Sequence, residues 1–102
     1  LFGLFGTFVA VEGQREALTS KLLKVAELME AVPACLLYVV STQVTEVWKD
    51  ETAHGASLSM PGVRDLIRWT MPLVSSVPES TRFTPVGGKG LASLAGASND
   101  AK

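Results

Sequence analysis

The chain has 102 residues, of which 47% are hydrophobic and 19% charged, and its formal net charge is −1. This length corresponds to one domain, and an apolar content this high, with a mean hydropathy of +0.29, excludes a disordered chain. A domain of this size buries only about two-thirds of its unfolded surface. We therefore expect a partner chain or a ligand cavity to account for the apolar surface that one core cannot bury. The near-neutral charge, with no basic stripe interleaved with aromatics, argues against a nucleic-acid partner.

The sequence also argues against a membrane span and against a structural metal site. The longest near-continuous apolar stretch, residues 1–11, is shorter than the roughly 17–25 residues of a spanning helix. Cys35 is the single cysteine, so no internal disulfide can form, and zinc sites need several Cys or His ligands. These features predict a reduced, soluble, cytoplasmic protein.

The N-terminal third predicts a strand followed by a helix. Residues 4–11 are rich in β-branched and aromatic side chains and are followed by a glycine, which is typical of a strand. From residue 14 to 32 the apolar residues recur at intervals of four and three, which predicts an amphipathic helix. Pro33 ends this helix, because proline lacks the N–H that the next helical hydrogen bond needs.

The middle of the chain predicts two paired strands, at residues 35–40 and 44–49. In the second of them, alternation places three side chains on one face: Val44, Glu46 and Trp48. The connection at 41–43 contains no Gly, Asn or Asp for a tight turn. This indicates either an unusual hairpin or a segment missing from the sequence at this point.

The remainder predicts two helix starts and a last strand. Acidic residues open a helix at 50–54, where they match the helix dipole, and Pro61 begins another helix at its first turn. Residues 82–86 predict a fourth strand, which Pro85 confines to a sheet edge or a strand end. The Gly/Ala/Ser-rich residues 92–102 predict a flexible tail after a single domain at 1–91.

The element order β-α-β-β-α-β predicts an α+β, ferredoxin-like fold with a four-stranded antiparallel sheet and both helices on one face. The opposite sheet face would then expose aromatic side chains to water. We therefore expect a homodimer, or a higher oligomer built from it, in which two sheets pack face to face as a dimeric α+β barrel.

Few side chains are candidates for chemistry, and each has a structural alternative. His54, the only histidine, is either a proton shuttle or hydrogen-bond donor at a pocket, or an ordinary helix histidine. Trp48 either stacks on a planar ligand or fills the core, and Tyr38 offers its phenol to a cavity or packs. Arg64 and Arg68 share a helix face and either hold an anionic oxygen or are solvated.

Known catalytic motifs are missing from the sequence. It contains no P-loop, dinucleotide-binding fingerprint or HExxH motif, and no long helix follows the glycine-rich residues 87–90 as a phosphate loop would require. A Ser-His-Asp triad has only His54 and scattered serines to support it. Cys35 is expected to be a small buried hydrophobe.

Seven short motifs, matching in order and spacing over roughly residues 3–91, resemble one known family. They are LFGTF (4–8), GQREAL (13–18), CLLYVV (35–40), TEVW (45–48), AH (53–54), SL (57–58) and PVGGKGL (85–91). The family is that of the antibiotic biosynthesis monooxygenases, and within it the quinol monooxygenases. The resemblance implies a dimeric α+β barrel that oxidises phenols, quinols or anthrones with molecular oxygen and needs no metal, flavin or nicotinamide.

At a few positions this sequence has the residue that family members use at the site, and at others it differs. Trp48 matches a strand-three Trp that lines the pocket in some members, and Arg68 falls near a pocket Arg. Val44 replaces an Asn of certain members, and Ser57 stands where many relatives have a His, with His54 three residues earlier. Haem-degrading members need an axial His and a nearby Asn, so no haem role is expected.

The sequence thus predicts a cofactor-independent monooxygenase that oxidises a quinol or polyphenolic aromatic with molecular oxygen. Its predicted catalytic residues are His54, Trp48 and Arg68, and its predicted substrate-binding residues are Tyr38 and Trp48. Two alternatives remain: a non-catalytic small-molecule-binding or dimerisation barrel, and an isomerase of a small hydroxyketone.

Overall fold

The computed structural model describes residues 1–41, 43–76 and 79–91. This part of the chain contains, in order, β1 (Phe2–Thr7), α1 (Arg15–Met29), β2 (Cys35–Val40), β3 (Val44–Trp48), α2 (Glu51–Ser57), α3 (Pro61–Thr70), a 3₁₀ turn (Met71–Leu73) and β4 (Glu79–Phe83). None of the helices in these ranges has both the length and the apolar character needed to cross a bilayer.

The four strands form one antiparallel sheet in the order β2-β3-β1-β4, so the predicted ferredoxin-like α+β fold is confirmed. The central strand β1 pairs on both sides, with Leu4 opposite Glu46 on β3 and opposite Arg82 on β4. Each of these pairings joins strands that are not consecutive in the chain. β2 and β3 form the hairpin, in which the Ser41 N–H donates to the Gln43 carbonyl at 2.8 Å.

Some predicted boundaries are wrong, and the hydrogen bonds show why. β1 ends at Thr7 because the residues after it pair with the segment that follows α3: Val11 N–H donates to the Leu73 carbonyl at 2.8 Å, and Ser75 N–H donates to that of Val9 at 2.7 Å. Helix α1 stops at Met29 and continues only as single turns toward Pro33.

β4 lies three residues earlier than predicted. It ends at Phe83, before Pro85, which could not donate to the ladder. The strand is at the sheet edge, as predicted. The predicted tail, residues 92–102, lies outside the described residues.

The helices cover one face of the sheet and build the core there. One cluster of buried residues joins α1 and α3 to the end of β3: Val25, Met29, Trp48, Val63 and Leu66. A second joins the start of α1 to the start of β3: Leu18, Leu22 and Val44. Tyr38 of β2 packs against both clusters, which places it at the centre of the helix-covered face.

The opposite face of the sheet, here called the outer face, is largely apolar. Its paired residues form two rows across the four strands: Val39, Thr45, Phe5 and Thr81, and Leu37, Val47, Gly3 and Phe83. The Phe83 ring lies directly over Gly3, and its centroid is 6.1 Å from that of Phe5. Val47 is only 2% exposed, whereas Val39 is 45% exposed, so part of the outer face is covered by its own side chains and part is open to solvent.

Replacing Gly3 by Ala should destabilise the fold. A Cβ at this position meets the ring of Phe83, which would have to leave its place over the sheet. We expect the free energy of unfolding, measured by urea denaturation, to fall by about 1–3 kcal/mol. Gly55→Ala is the control, because its Cβ meets nothing within 4 Å and alanine favours the helix; equal stability of the two variants would contradict the prediction.

Candidate functional site

A cavity of about 160 Å³ lies between the helix-covered face of the sheet and the three helices. Most of its lining is apolar, with Val25 and Met29 from α1 and Val63 and Ile67 from α3. Besides the Phe8 ring, four side chains bring an aromatic or ionisable group to it: Tyr38, Glu46, Trp48 and His54. Small-molecule sites typically have this composition, an apolar enclosure with a few convergent polar groups.

Strand register and one helix cap place these four groups. Glu46 and Trp48 are two residues apart on β3 and therefore share a face, and Tyr38 is the cross-strand partner of Glu46 on β2. The Asp50 carboxylate accepts a hydrogen bond from the Ala53 N–H at 2.7 Å, which starts α2 directly after β3. This short connection brings His54 back over the end of β3.

The indole of Trp48 and the imidazole of His54 meet at one carboxylate oxygen. Trp48 Nε1 donates a hydrogen bond to Glu46 Oε1 at 2.9 Å, and His54 Nε2 lies 3.7 Å from the same atom. The His54 ring stands edge-on to Trp48, with centroids 5.5 Å apart, and its centroid is 5.7 Å from that of Phe2. Trp48 is 1% exposed, so packing against neighbouring side chains holds its ring in place.

Burial changes the acid–base properties of this cluster. Only 14% of the Glu46 side chain is exposed, and burial raises the pKa of its carboxyl, partly offset by the Trp48 hydrogen bond and by the charge of His54. Burial, with a smaller effect from Glu46, also raises the pKa of Tyr38, so its phenol stays protonated. The same causes raise the pKa of Cys35 to about 11, which makes its thiol a poor nucleophile.

The structure brings three of the sequence-predicted site residues to this cavity: Trp48, His54 and Tyr38. It does not bring Arg68 there. The Arg68 side chain is 72% exposed and pairs with Asp65 at 3.4 Å, because the buried face of α3 is formed by other residues, among them Val63 and Leu66.

Two further residues of interest lie close to the predicted ones. Ser57, at the position where many relatives have a histidine, is buried beside the cavity, and its hydroxyl donates to the His54 carbonyl at 2.6 Å. Glu46 was not among the predicted site residues. Its signal in the sequence is the alternation of β3, which places an acid on the same face as a buried Trp.

Comparison with known proteins places the chain in a family. No family model matches it, and neither does any curated protein. Among solved structures, a candidate antibiotic biosynthesis monooxygenase from Chloroflexus aurantiacus is 39% identical, with a TM-score of 0.77 over 85% of this chain and 94% of that one. The chain belongs to the antibiotic biosynthesis monooxygenase family, as its motifs predicted.

More distant structures share the fold. A candidate antibiotic biosynthesis monooxygenase from Deinococcus radiodurans is 24% identical, with a TM-score of 0.73 over 86% of this chain and 95% of that one. A protein from Mycobacterium tuberculosis, Rv0793, is 16% identical, with a TM-score of 0.75 over 86% of this chain and 97% of that one.

The raised pKa of Glu46 should make stability depend on pH. Between the ordinary glutamate value of 4.5 and the raised one, the folded chain holds a proton that the unfolded chain has released. The free energy of unfolding therefore falls as pH rises through this interval. Glu46→Gln should lack this fall, so its stability relative to the wild type should increase with pH and then level off.

Urea denaturation at closely spaced pH values from 4 to 8 measures this difference. Glu27→Gln is the matched control, because it removes an exposed carboxylate on α1 and leaves the buried one in place. The control should retain the wild-type fall. Parallel stability curves for the wild type and Glu46→Gln would contradict the assignment.

Proposed function

We propose that this protein is a cofactor-independent monooxygenase that oxidises a quinol or polyphenolic aromatic with molecular oxygen. The observation that carries the proposal is the cavity itself: it is largely apolar, and Trp48, His54 and Tyr38 converge on it. Membership of the antibiotic biosynthesis monooxygenase family supports the same chemistry. The single cysteine, Cys35, fits a reducing compartment, so we place this activity in the cytoplasm.

The chemistry asks little of the protein beyond binding, desolvation and proton transfer. An electron-rich phenolate can itself reduce oxygen: one oxygen atom enters the substrate, and the other leaves as water with two hydrogens from the substrate. An apolar enclosure removes water from the reacting ring, and a nearby base favours its ionised form.

Each cavity residue has a part in this reaction. Trp48 forms a wall against which an aromatic ring packs, and its indole is held by its hydrogen bond to Glu46. His54 is the hydrogen-bond donor or proton acceptor beside the ring, and Tyr38 offers a neutral phenol to a substrate oxygen. Arg68 has no part in the proposed site, because its side chain is exposed on the outside of α3.

Oxygen uptake with a single-ring hydroquinone tests the proposal. We expect the wild type to consume oxygen above the protein-free background, His54→Gln to lose at least tenfold in rate, and Trp48→Phe to lose about tenfold. Trp69→Phe is the matched control, because Trp69 is 53% exposed and lies outside the cavity lining.

Three results would contradict this proposal. Equal rates for all four proteins would remove Trp48 and His54 from the site. Hydroquinone binding without oxygen uptake would favour the non-catalytic barrel, and turnover of a hydroxyketone without oxygen would favour the isomerase.

We also propose that two copies pack outer face to outer face as a homodimer. The support is the largely apolar outer face, on which Val39 of the edge strand β2 is 45% exposed and the Phe5 and Phe83 rings lie over β1 and β4. Apolar side chains left exposed on a sheet face are typical of protein–protein contacts.

A charge on the outer face should separate the copies. We expect Val39→Asp to shift the mass measured by light scattering from that of two chains to that of one, because a buried unpaired carboxylate is costly. Leu23→Asp is the control, because Leu23 is 53% exposed on helix α1, away from this face. A monomeric wild type, or a dimeric Val39→Asp variant, would contradict the proposal.

A further inference from the structure

Glu46 has one carboxylate oxygen that the protein itself does not use. Its Oε1 accepts the Trp48 hydrogen bond and faces His54, whereas Oε2 makes no hydrogen bond to any described residue. In the described part of the chain, no fully enclosed side-chain oxygen lacks a partner, so Oε2 opens onto free space. Glu46 is one of the residues that line the cavity, so its carboxylate is within reach of a ligand bound there.

The other polar groups of the cavity make Glu46 its principal acceptor. The two aliphatic hydroxyls in the lining already donate to backbone carbonyls, Ser57 to that of His54 and Thr70 to that of Leu66, each at 2.6 Å, and the remaining hydroxyl is the Tyr38 phenol. No lysine or arginine is among the described lining residues. An anionic ligand would therefore meet a carboxylate and no fixed positive charge, whereas a neutral hydroxyl would find a charged acceptor.

The size of the cavity limits what can carry that hydroxyl. A dry apolar cavity of about 150 Å³ in another protein takes up one benzene molecule. The cavity here, at about 160 Å³, therefore has room for a single aromatic ring with small substituents. The apolar lining from α1 and α3 suits the ring, and the polar groups of β2, β3 and α2 suit its hydroxyl.

We propose that the Glu46 carboxylate binds the hydroxyl of a neutral, single-ring phenol or quinol and takes its proton. In this step the phenolic O–H bond breaks, the proton goes to Oε2, and the electron pair stays on the phenolate oxygen. The Trp48 indole holds the carboxylate through its hydrogen bond to Oε1, and His54 Nε2 lies 3.7 Å from the same atom. The inference rests on the proposed function and names the substrate class and the base of that site.

The surroundings of Glu46 support this role. The titratable groups that face it are Tyr38 and Cys35 from β2 and His54 from α2, and the described lining residues of α1 and α3 are apolar or carry hydroxyls. Because burial raises the pKa of Glu46, its carboxylate is a stronger proton acceptor than one in water.

Binding calorimetry with three single-ring ligands tests the inference without requiring oxidation. Phenol carries the hydroxyl, toluene has a similar shape without it, and benzoate carries a negative charge. For the wild type we expect phenol to bind about tenfold more tightly than toluene, and benzoate to bind most weakly. Phenol affinity should rise with pH as Glu46 ionises, because phenol itself stays neutral until the pH approaches its own pKa of about 10.

Glu46→Gln keeps an oxygen for the Trp48 indole and removes the charge. In this variant phenol should bind about tenfold more weakly than in the wild type, with an affinity that no longer depends on pH, and toluene should bind as before. Trp69→Phe is the control that should retain the wild-type pattern. The pH dependence of phenol binding is measured on the wild type alone, so it tests the inference even if Glu46→Gln does not fold.

A phenol affinity of the wild type that does not change with pH would overturn the inference. So would equal phenol binding by the wild type and a folded Glu46→Gln, tighter binding of benzoate, or binding of a three-ring anthracenol as tightly as phenol. The two proposals fail separately. Phenol binding as described without oxygen uptake from hydroquinone overturns only the oxidation, whereas equal oxygen uptake by the wild type and Glu46→Gln overturns only the role of Glu46.

Discussion

A carboxylate inside a small apolar core needs a partner, and in this chain the partner is the indole of Trp48. The hydrogen bond between them joins the most buried large side chain of the described part to the largely enclosed acid two residues earlier. Because both groups point to the same side of β3, the hydrogen bond fixes the position of the polar groups that the sheet contributes to the cavity. His54, Tyr38 and the hydrophobic helices are then arranged around a carboxylate whose position is already determined.

The sequence predicted the fold well because its strongest patterns belong to its best-packed elements. The apolar intervals of α1 and the strand at 35–40 correspond to residues buried on the helix-covered face. β4 was misplaced because four of its five residues, from Glu79 to Arg82, are exposed at the sheet edge. An exposed edge strand has no buried side that alternation of apolar and polar residues could reveal. The apolar residues Phe83 and Val86 therefore moved the predicted strand toward the C-terminus.

The site was predictable only where a residue's face could be inferred. Trp48 and Tyr38 lie on strands whose alternation is visible, and the cavity includes both. Glu46 shares that alternation, but a charged residue in a strand is expected to be exposed to solvent, and the sequence alone does not show that this one is enclosed. Arg64 and Arg68 share a helix face, but whether that face meets the sheet depends on how α3 packs, which spacing alone does not determine.

The two tryptophans lie in opposite environments, which makes the cavity optically observable. Trp48 is enclosed beside an ionisable carboxyl and an imidazole, whereas Trp69 is exposed with the Lys21 ammonium 5.3 Å above its ring. Removing Trp69 leaves one tryptophan, inside the molecule and in contact with the groups that a bound ring would displace or polarise. The emission of a Trp69→Phe protein would then report occupancy of the cavity from within, without any added dye or label.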